Sequence, residues 1–159
     1  MGKLEVVVEP GRQDIVITRE FEAPRDVVFR AMTDPGLVGS WWGPRNLETI
    51  VDKMDPRPGG QWRFVNRDPA GNDVAFNGVY HEVSPERIIQ TFEFEPMAGH
   101  VSLETMSLED LGGRTRATVV SVFQSIEDRD GMVQSGMESG LAETYERLDE
   151  VLETLKTPA

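Results

Sequence analysis

The sequence predicts an α+β fold in which a curved antiparallel sheet of about six to seven strands packs against helices. Six short runs with strand character follow one another at roughly ten-residue spacing, with turn residues and no helical pattern between them. Another strand-like run precedes them, and the chain ends in a proline-free segment whose apolar residues recur at three- and four-residue steps. Consecutive strands of this kind pair as an antiparallel meander, so we expect one sheet with a long helix at its end.

The first strand and two short helices are predicted in the N-terminal third. Residues 14–22 are rich in β-branched side chains and roughly alternate, which is typical of a strand. A helix follows from Pro24, because proline is tolerated in the first helical turn. Pro35 ends that helix, since the residue before a proline leaves the helical conformation. A second short helix over residues 35–40 leads into Trp-Trp-Gly-Pro at 41–44.

Clusters of Gly, Pro, Asn and Asp separate the central strands and suit hairpin turns. We expect these strands at residues 47–54, 61–66, 73–83, 87–94, 101–109 and 114–123. From about Asp128 to Lys156 the sequence predicts one long amphipathic helix with an acidic outer face. Gly131, Gly136 and Gly140 weaken its first half by about 1 kcal/mol each relative to Ala, which indicates close packing or empty volume there.

Composition and charge exclude several functional classes. The 159-residue chain has no cysteine, which excludes disulfides and thiolate chemistry, and 2 histidines are too few for a three-histidine metal centre. A net charge of −12 opposes phosphate backbones and anionic lipids, so we expect neither nucleic acid nor a membrane as partner. No nucleotide-binding or hydrolase motif is present, and we predict no metal and no cofactor. Without a signal peptide or an apolar span, we expect a cytoplasmic location.

The predicted elements describe a helix-grip arrangement, and nine motifs occur in the order typical of a known family. They are ITREFEAP at 17–24, VFRA at 28–31, TDP at 33–35, WWGP at 41–44, RPGG at 57–60, FNGVY at 76–80, SPER at 84–87, GRTR at 113–116 and GMESG at 136–140. They resemble the SRPBCC superfamily. Within it, the sequence is most similar to homologues of the C-terminal domain of the activator of the 90-kDa heat-shock chaperone ATPase, the AHSA-type proteins.

The resemblance implies a START/Bet v-like helix-grip fold with a cavity between the sheet and the long helix. It covers a single domain at residues 13–156. Residues 1–12 are then an N-terminal extension that is free to be flexible. Members of the superfamily include lipid and hormone binders, polyketide cyclases and dehydratases, oxygenase domains and chaperone regulators, so fold alone does not decide the chemistry. Met32 and Leu141 stand where many relatives have Trp, which alters the expected pocket shape.

The strongest candidate site is an aromatic wall on the concave face of the sheet. Aromatic residues two or four positions apart in one strand share a face, and they would oppose apolar side chains of the long helix. We expect the ligand cavity to be lined by Trp41, Trp42, Trp62, Phe64, Phe76, Tyr80, Phe92, Phe94, Met106, Met137, Leu141 and Tyr145. Such a wall suits a flat or apolar molecule, and the alternative is that these side chains fill an ordinary core.

Two features of the predicted cavity leave alternatives open. Glu104 could lie in the apolar wall as a polar cavity group with a raised pKa, or it could form a structural ion pair with Arg63, Arg87 or Arg116. One of the adjacent residues Trp41 and Trp42 is expected to be partly exposed. That side chain would act as a ligand gate, as a surface for a partner protein or as a lid over the core.

Three functions are compatible with these observations. The first, which we favour, is non-catalytic binding of a hydrophobic or aromatic small molecule in the cavity. The second is a cyclase- or dehydratase-like enzyme that uses polar cavity groups. The third is a chaperone or stress-response module that binds another protein, and a homodimer is compatible with each. His81 would point away from its neighbours and His100 lies in a turn, so we predict no catalytic residue.

Overall fold

The computed structural model describes residues 2–156, whose strands form one curved antiparallel sheet. The strands are β1 (Glu5–Val7), β2 (Asp14–Phe21), β3 (Glu48–Met54), β4 (Gln61–Arg67), β5 (Asp73–Val83), β6 (Arg87–Phe94), β7 (Val101–Asp110) and β8 (Thr115–Val122). The helices are α1 (Arg25–Thr33), α2 (Pro35–Val38), α3 (Ile126–Gln134) and α4 (Met137–Lys156), with a 3₁₀ turn at Glu95–Met97. The predicted α+β helix-grip fold is therefore confirmed.

The sheet has the order β1-β2-β8-β7-β6-β5-β4-β3, so sequence neighbours from β3 to β8 are also spatial neighbours. Strict alternation of buried and half-buried positions along β2 shows that one face of the sheet is covered. The helices α1 and α4 contact each other on the covered side. None of the helices within residues 2–156 has the length and apolarity that a membrane span requires.

The sheet contains eight strands, against the predicted six to seven. The additional strand, β1, lies in the predicted extension 1–12, of which residue 1 is outside the described residues. β1 pairs with β2 in the register Val6↔Ile17, and Val6 packs against the core. Three residues are too few for an alternation pattern to show, which is why the sequence does not reveal this strand.

The predicted single C-terminal helix is wrong at one point, because two helices occupy that segment. Gly136 has a φ of +85°, a left-handed conformation that ends α3 before α4 begins at Met137. The start of α3 is capped by Ser125, whose side-chain oxygen accepts a hydrogen bond from the Asp128 backbone N–H at 3.0 Å. The left-handed glycine thus divides the segment predicted as one helix into two consecutive helices.

The C-terminal half of α4 is held tightly against the sheet. Leu148 and Leu152 are almost completely buried, and burial of each such side chain stabilises the fold by roughly 1.5–3 kcal/mol. Arg19 on β2 is 3% exposed and donates two hydrogen bonds to the Asp149 carboxylate, at 3.0 and 2.6 Å. Its guanidinium carbon also lies 4.9 Å from the centroid of the Phe21 ring. These contacts fix both the position and the rotation of α4.

Two glycines of the C-terminal segment should respond oppositely to alanine. No atom lies within 4 Å of the position that a β-carbon on Gly131 in α3 would take, and Gly131 has no positive φ. Gly131→Ala should therefore raise the free energy of unfolding by up to about 1 kcal/mol. Gly136→Ala must place a β-carbon on a left-handed residue and should lower it by about 1–2 kcal/mol. Urea unfolding of both variants measures this, and a stabilising Gly136→Ala would contradict the break between the helices.

Candidate functional site

A cavity of about 360 Å³ lies between the concave face of the sheet and the N-terminal half of α4. Eleven of the predicted aromatic and apolar residues line it, together with Glu104. Those eleven are Trp41, Trp42, Trp62, Phe64, Phe76, Tyr80, Phe92, Met106, Met137, Leu141 and Tyr145. Phe94 is not among the lining residues, because its ring packs beside that of Phe76 at 5.4 Å, at the end of β6. That these side chains contact a ligand remains a prediction.

The aromatic rings form a continuous wall in which each contacts the next. The Trp42 ring centroid is 5.1 Å from those of both Phe64 and Phe76, and 6.4 Å from that of Trp62. Phe92 extends the wall, with its centroid 6.0 Å from that of Trp62. The pairs are edge-on or tilted, which are the arrangements that aromatic quadrupoles favour. The wall therefore presents broad ring surfaces of fixed orientation to the cavity.

The position of the Trp62 ring depends on the absence of a side chain at Gly78. The two residues are direct partners in the register of β4 and β5. A β-carbon on residue 78 would lie 2.5 Å from the Trp62 indole nitrogen and 1.9 Å from the carbonyl oxygen of Thr91. The buried Trp62 N–H has no hydrogen-bond partner among the described residues, so the indole is positioned by packing. Gly78 thus leaves free the space that this ring occupies.

Trp41 and Trp42 both reach the cavity because they lie in an irregular turn between α2 and β3. Trp41 is buried and its indole N–H donates to the Ala31 carbonyl at 2.9 Å, whereas Trp42 is half-buried. Arg147 of α4 holds the turn by donating to the carbonyls of Ser40, Gly43 and Pro44 at 2.9, 2.7 and 3.3 Å. Partial burial lowers the Arg147 pKa, and the nearby Arg45 adds to this effect. The turn is thereby fastened to the middle of α4.

Glu104 lies in a row of polar side chains that crosses the concave face of the sheet, which forms the otherwise mostly apolar floor of the cavity. In the strand register, Gln90 of β6 pairs with Glu104 of β7, which in turn pairs with Ser121 of β8. Gln90 Nε2 donates to one carboxylate oxygen at 3.2 Å, and Ser121 Oγ donates to the other at 3.3 Å. On one side of this row lie Met106 and its apolar partners in the register. The carboxylate therefore has only neutral hydrogen-bond partners in the described part of the chain.

The arginines considered as alternative partners of Glu104 are engaged elsewhere. Arg63 pairs with Glu95 and Asp52, Arg87 pairs with Glu82, and Arg116 pairs with Glu20 and Glu109. The ion-pair alternative for Glu104 is therefore not realised in the structure. Glu104 is half-buried, because part of its surface faces the cavity and the rest is covered by protein. Its burial among protein atoms raises its pKa, while the hydrogen bonds from Gln90 and Ser121 oppose the rise.

Two tyrosine hydroxyls also belong to the cavity. Burial raises the pKa of Tyr145, and the charge of Glu104 adds to the rise, while Arg19 opposes it. Burial is also the main cause of the raised pKa of Tyr80, with a contribution from Asp55. Both phenols are consequently neutral at physiological pH and can donate or accept hydrogen bonds.

The sequence interpretation missed several polar lining residues, which are Asn66, Gln90, Ser102, Ser121 and Thr144. Ser121 had a detectable signal, because it interrupts the buried apolar alternation of Ala117, Val119 and Phe123 along β8 and just beyond it. The two histidines lie outside the cavity. His81 is exposed at a β-bulge, and His100 Nδ1 is 2.9 Å from an Asp128 carboxylate oxygen at the surface.

Comparison with known proteins identifies the family of this cavity-bearing fold. The family described as "Activator of Hsp90 ATPase homolog 1-like protein" matches residues 22–153. The chain belongs to this family. The match begins directly after β2 and runs through most of α4, so it includes strands β3 to β8 and the helix that encloses the cavity. The predicted AHSA-type resemblance is confirmed, and the family is compatible with small-molecule binding and with chaperone-related roles.

Solved structures of similar chains share the AHSA1-like fold. A protein from Rhodobacter sphaeroides is 24% identical with a TM-score of 0.88, over 96% of this chain and 99% of the other. A protein from Arthrobacter aurescens is 28% identical with a TM-score of 0.84, over 98% and 92%. The AHSA1 protein from Silicibacter pomeroyi is 21% identical with a TM-score of 0.71, over 89% and 98%. No curated protein matches the sequence significantly.

Replacing Glu104 by glutamine should change how stability depends on pH. Because the folded-state pKa of Glu104 is raised above its unfolded value, the folded protein binds more protons in the window between the two values, and stability falls as pH rises through it. Glu104→Gln removes this titration while keeping side-chain shape. We expect the variant to be more stable relative to wild type near pH 8 than near pH 4.

Urea unfolding at the two pH values measures this difference. Glu109→Gln is the matched control, because Glu109 lies on the same strand but is exposed and outside the cavity. A Glu104→Gln difference from wild type that is the same at both pH values would contradict the raised pKa.

Removing Arg147 should loosen the double-tryptophan turn. Arg147→Met deletes the donors to three backbone carbonyls, so we expect a loss of about 2 kcal/mol in unfolding free energy and a red shift of tryptophan fluorescence. Arg45→Met is the control, because Arg45 makes an exposed ion pair with Glu150 and should contribute little. Equal effects of the two substitutions would show that the three carbonyl contacts do not hold the turn.

Proposed function

We propose that this AHSA1-like protein binds a hydrophobic or aromatic small molecule in the cavity between the sheet and α4, without catalysing a reaction on it. The observation that carries the proposal is the aromatic wall beneath the N-terminal half of α4. Its volume of about 360 Å³ falls within the range of roughly 300–1,000 Å³ typical of small-molecule sites. The lining is mostly apolar, with one polar row on the floor and a few further polar side chains, as in binding sites that orient a ligand.

The N-terminal half of α4, which forms the roof of the cavity, is arranged in a way that supports binding rather than ordinary core packing. The C-terminal half of α4 is sealed by Leu148 and Leu152, whereas its N-terminal half stands over open space. Gly140 lines the cavity, and no atom lies within 4 Å of the position that its β-carbon would take. Interiors without a role are normally packed to crystal-like density, so a helix that leaves this volume empty favours an occupant.

A cyclase- or dehydratase-like activity is the second candidate, and the polar row is the observation that favours it. Acid–base catalysis commonly needs a positioned pair of groups with complementary protonation. The charge of Glu104 acts on the Tyr145 hydroxyl, so these two titratable groups of the cavity are the candidates for such a pair. However, no Lys, Arg or His occurs among the described lining residues, and the tyrosine pKa is raised rather than lowered. These groups are better suited to hydrogen-bond a ligand than to transfer protons.

A cavity-filling substitution tests the binding proposal. Leu141→Trp replaces an aliphatic side chain of α4 that lines the cavity by a larger aromatic one. It should reduce affinity for the neutral fluorescent probe N-phenyl-1-naphthylamine by about tenfold or more, because the new side chain fills the cavity. Glu146→Trp is the matched control, since residue 146 is on the exposed face of the same helix. The measurement is a fluorescence titration, with thermal unfolding to confirm that both variants fold.

Native mass spectrometry of protein purified from its own host provides an independent test. A bound species that dissociates from wild type and is missing from Leu141→Trp would support the proposal. If no species copurifies, and wild type fails to bind the probe, the cavity is not a binding site for molecules of this class.

A further inference from the structure

The charge of the cavity lining indicates which class of apolar molecule it accepts. Glu104 is the one carboxylic acid among the lining residues that the structure describes, and no Lys, Arg or His from that part of the chain lines the cavity. Its hydrogen-bond donors, Gln90 and Ser121, are neutral amide and hydroxyl groups. Each carboxylate oxygen accepts one bond from them, which leaves further acceptor capacity on both oxygens. The carboxylate thus lacks a counter-ion that a bound molecule could supply.

The two partly or fully buried arginines that contact or belong to α4 are already committed to other groups. Arg19 acts electrostatically on Tyr145, the α4 residue that Glu104 also influences, but its guanidinium is bound in two hydrogen bonds to Asp149. Arg147 near the middle of α4 donates to the backbone carbonyls of the double-tryptophan turn. Neither arginine is free to neutralise the carboxylate, so the protein itself does not complete the pair.

The aromatic wall complements a positive charge as well as an apolar body. Indole and phenyl faces attract cations within about 6 Å of the ring centroid, most strongly at tryptophan. Trp42, Trp62 and Phe92 present such rings in the cavity whose floor carries Glu104. The net charge of −12 also raises the local concentration of cations relative to anions around the protein. An anionic ligand would instead place a second negative charge beside Glu104 without a cation to separate them.

We propose that the cavity selects lipophilic amines, with the protonated nitrogen bound to the Glu104 carboxylate and the apolar body against the aromatic wall. This inference rests on the proposed binding function and adds the chemical class of the ligand. The polar row fixes the position of the nitrogen, because Gln90 and Ser121 orient the carboxylate from either side. Fatty acids and other lipophilic carboxylates are then the molecules that the cavity rejects.

Three probes that share one ring system separate charge from shape. They are 2-naphthylmethylamine, 2-naphthalenemethanol and 2-naphthoate, titrated calorimetrically into wild-type protein at about pH 8, where the amine is still largely protonated. We expect the amine to bind about tenfold more tightly than the alcohol, because a charge-assisted hydrogen bond replaces a neutral one. We expect 2-naphthoate to bind more weakly than the alcohol. This ranking requires no variant and so does not depend on how a mutant folds.

Glu104→Gln then tests the residue. The substitution preserves shape and hydrogen-bonding capacity, so we expect amine affinity to fall about tenfold while alcohol affinity stays within about twofold. Glu109→Gln, on the same strand outside the cavity, should leave all three affinities unchanged. The inference is overturned if 2-naphthoate binds as tightly as the amine, or if Glu104→Gln leaves amine affinity unchanged. If the alcohol binds but the amine has no advantage, only the inference fails, and if none of the probes binds, the binding function fails with it.

Discussion

The ion pair between Arg19 and Asp149 fixes where α4 meets the sheet, and the cavity follows from that position. The pair lies in the C-terminal half of α4, beside the buried Leu148 and Leu152. Taking two charges out of water costs several kcal/mol, so such a pair contributes more to orientation than to stability. Because the helix is anchored at this end, its other half spans the concave face as a roof. The space beneath that roof is where the aromatic side chains of β4, β5 and β6 are exposed to one another and to the cavity.

The floor of the cavity departs from the rule that governs the rest of the sheet interior. Elsewhere on the covered face most inward side chains are apolar, as at Ile15, Ile17 and Phe21 of β2 and at Ala117 and Val119 of β8. At one register row the inward positions are instead Gln90, Glu104 and Ser121. A buried carboxylate with only neutral partners lowers the stability of the fold locally, whereas sequence pattern and packing elsewhere favour the same structure. Such local departures concentrate at functional sites. The row therefore distinguishes this cavity from a packing defect, which would be apolar throughout.

Most of the fold and much of the wall could be predicted because they depend on local patterns. Alternation within a strand placed Trp62 and Phe64 on one face without knowledge of any partner strand. The features that escaped prediction depend on three-dimensional context. A three-residue strand such as β1 has no periodicity. The sequence also does not distinguish a glycine inside a helix, such as Gly131, from Gly136, whose left-handed backbone ends one. The partners of Glu104 follow from the registers of two neighbouring strands, which the sequence does not specify. Phe94 shares the right face, but it lies at the end of its strand and outside the cavity.

Gly78 occupies a position beside the aromatic wall that accepts no side chain. A β-carbon there would meet both the Trp62 indole nitrogen and the backbone carbonyl oxygen of Thr91 in β6, so even alanine would disturb the contact between β5 and β6 as well as the ring. The Trp62 ring therefore keeps its place in the wall because of a residue that does not itself line the cavity. A comparison of lining residues alone would overlook this position.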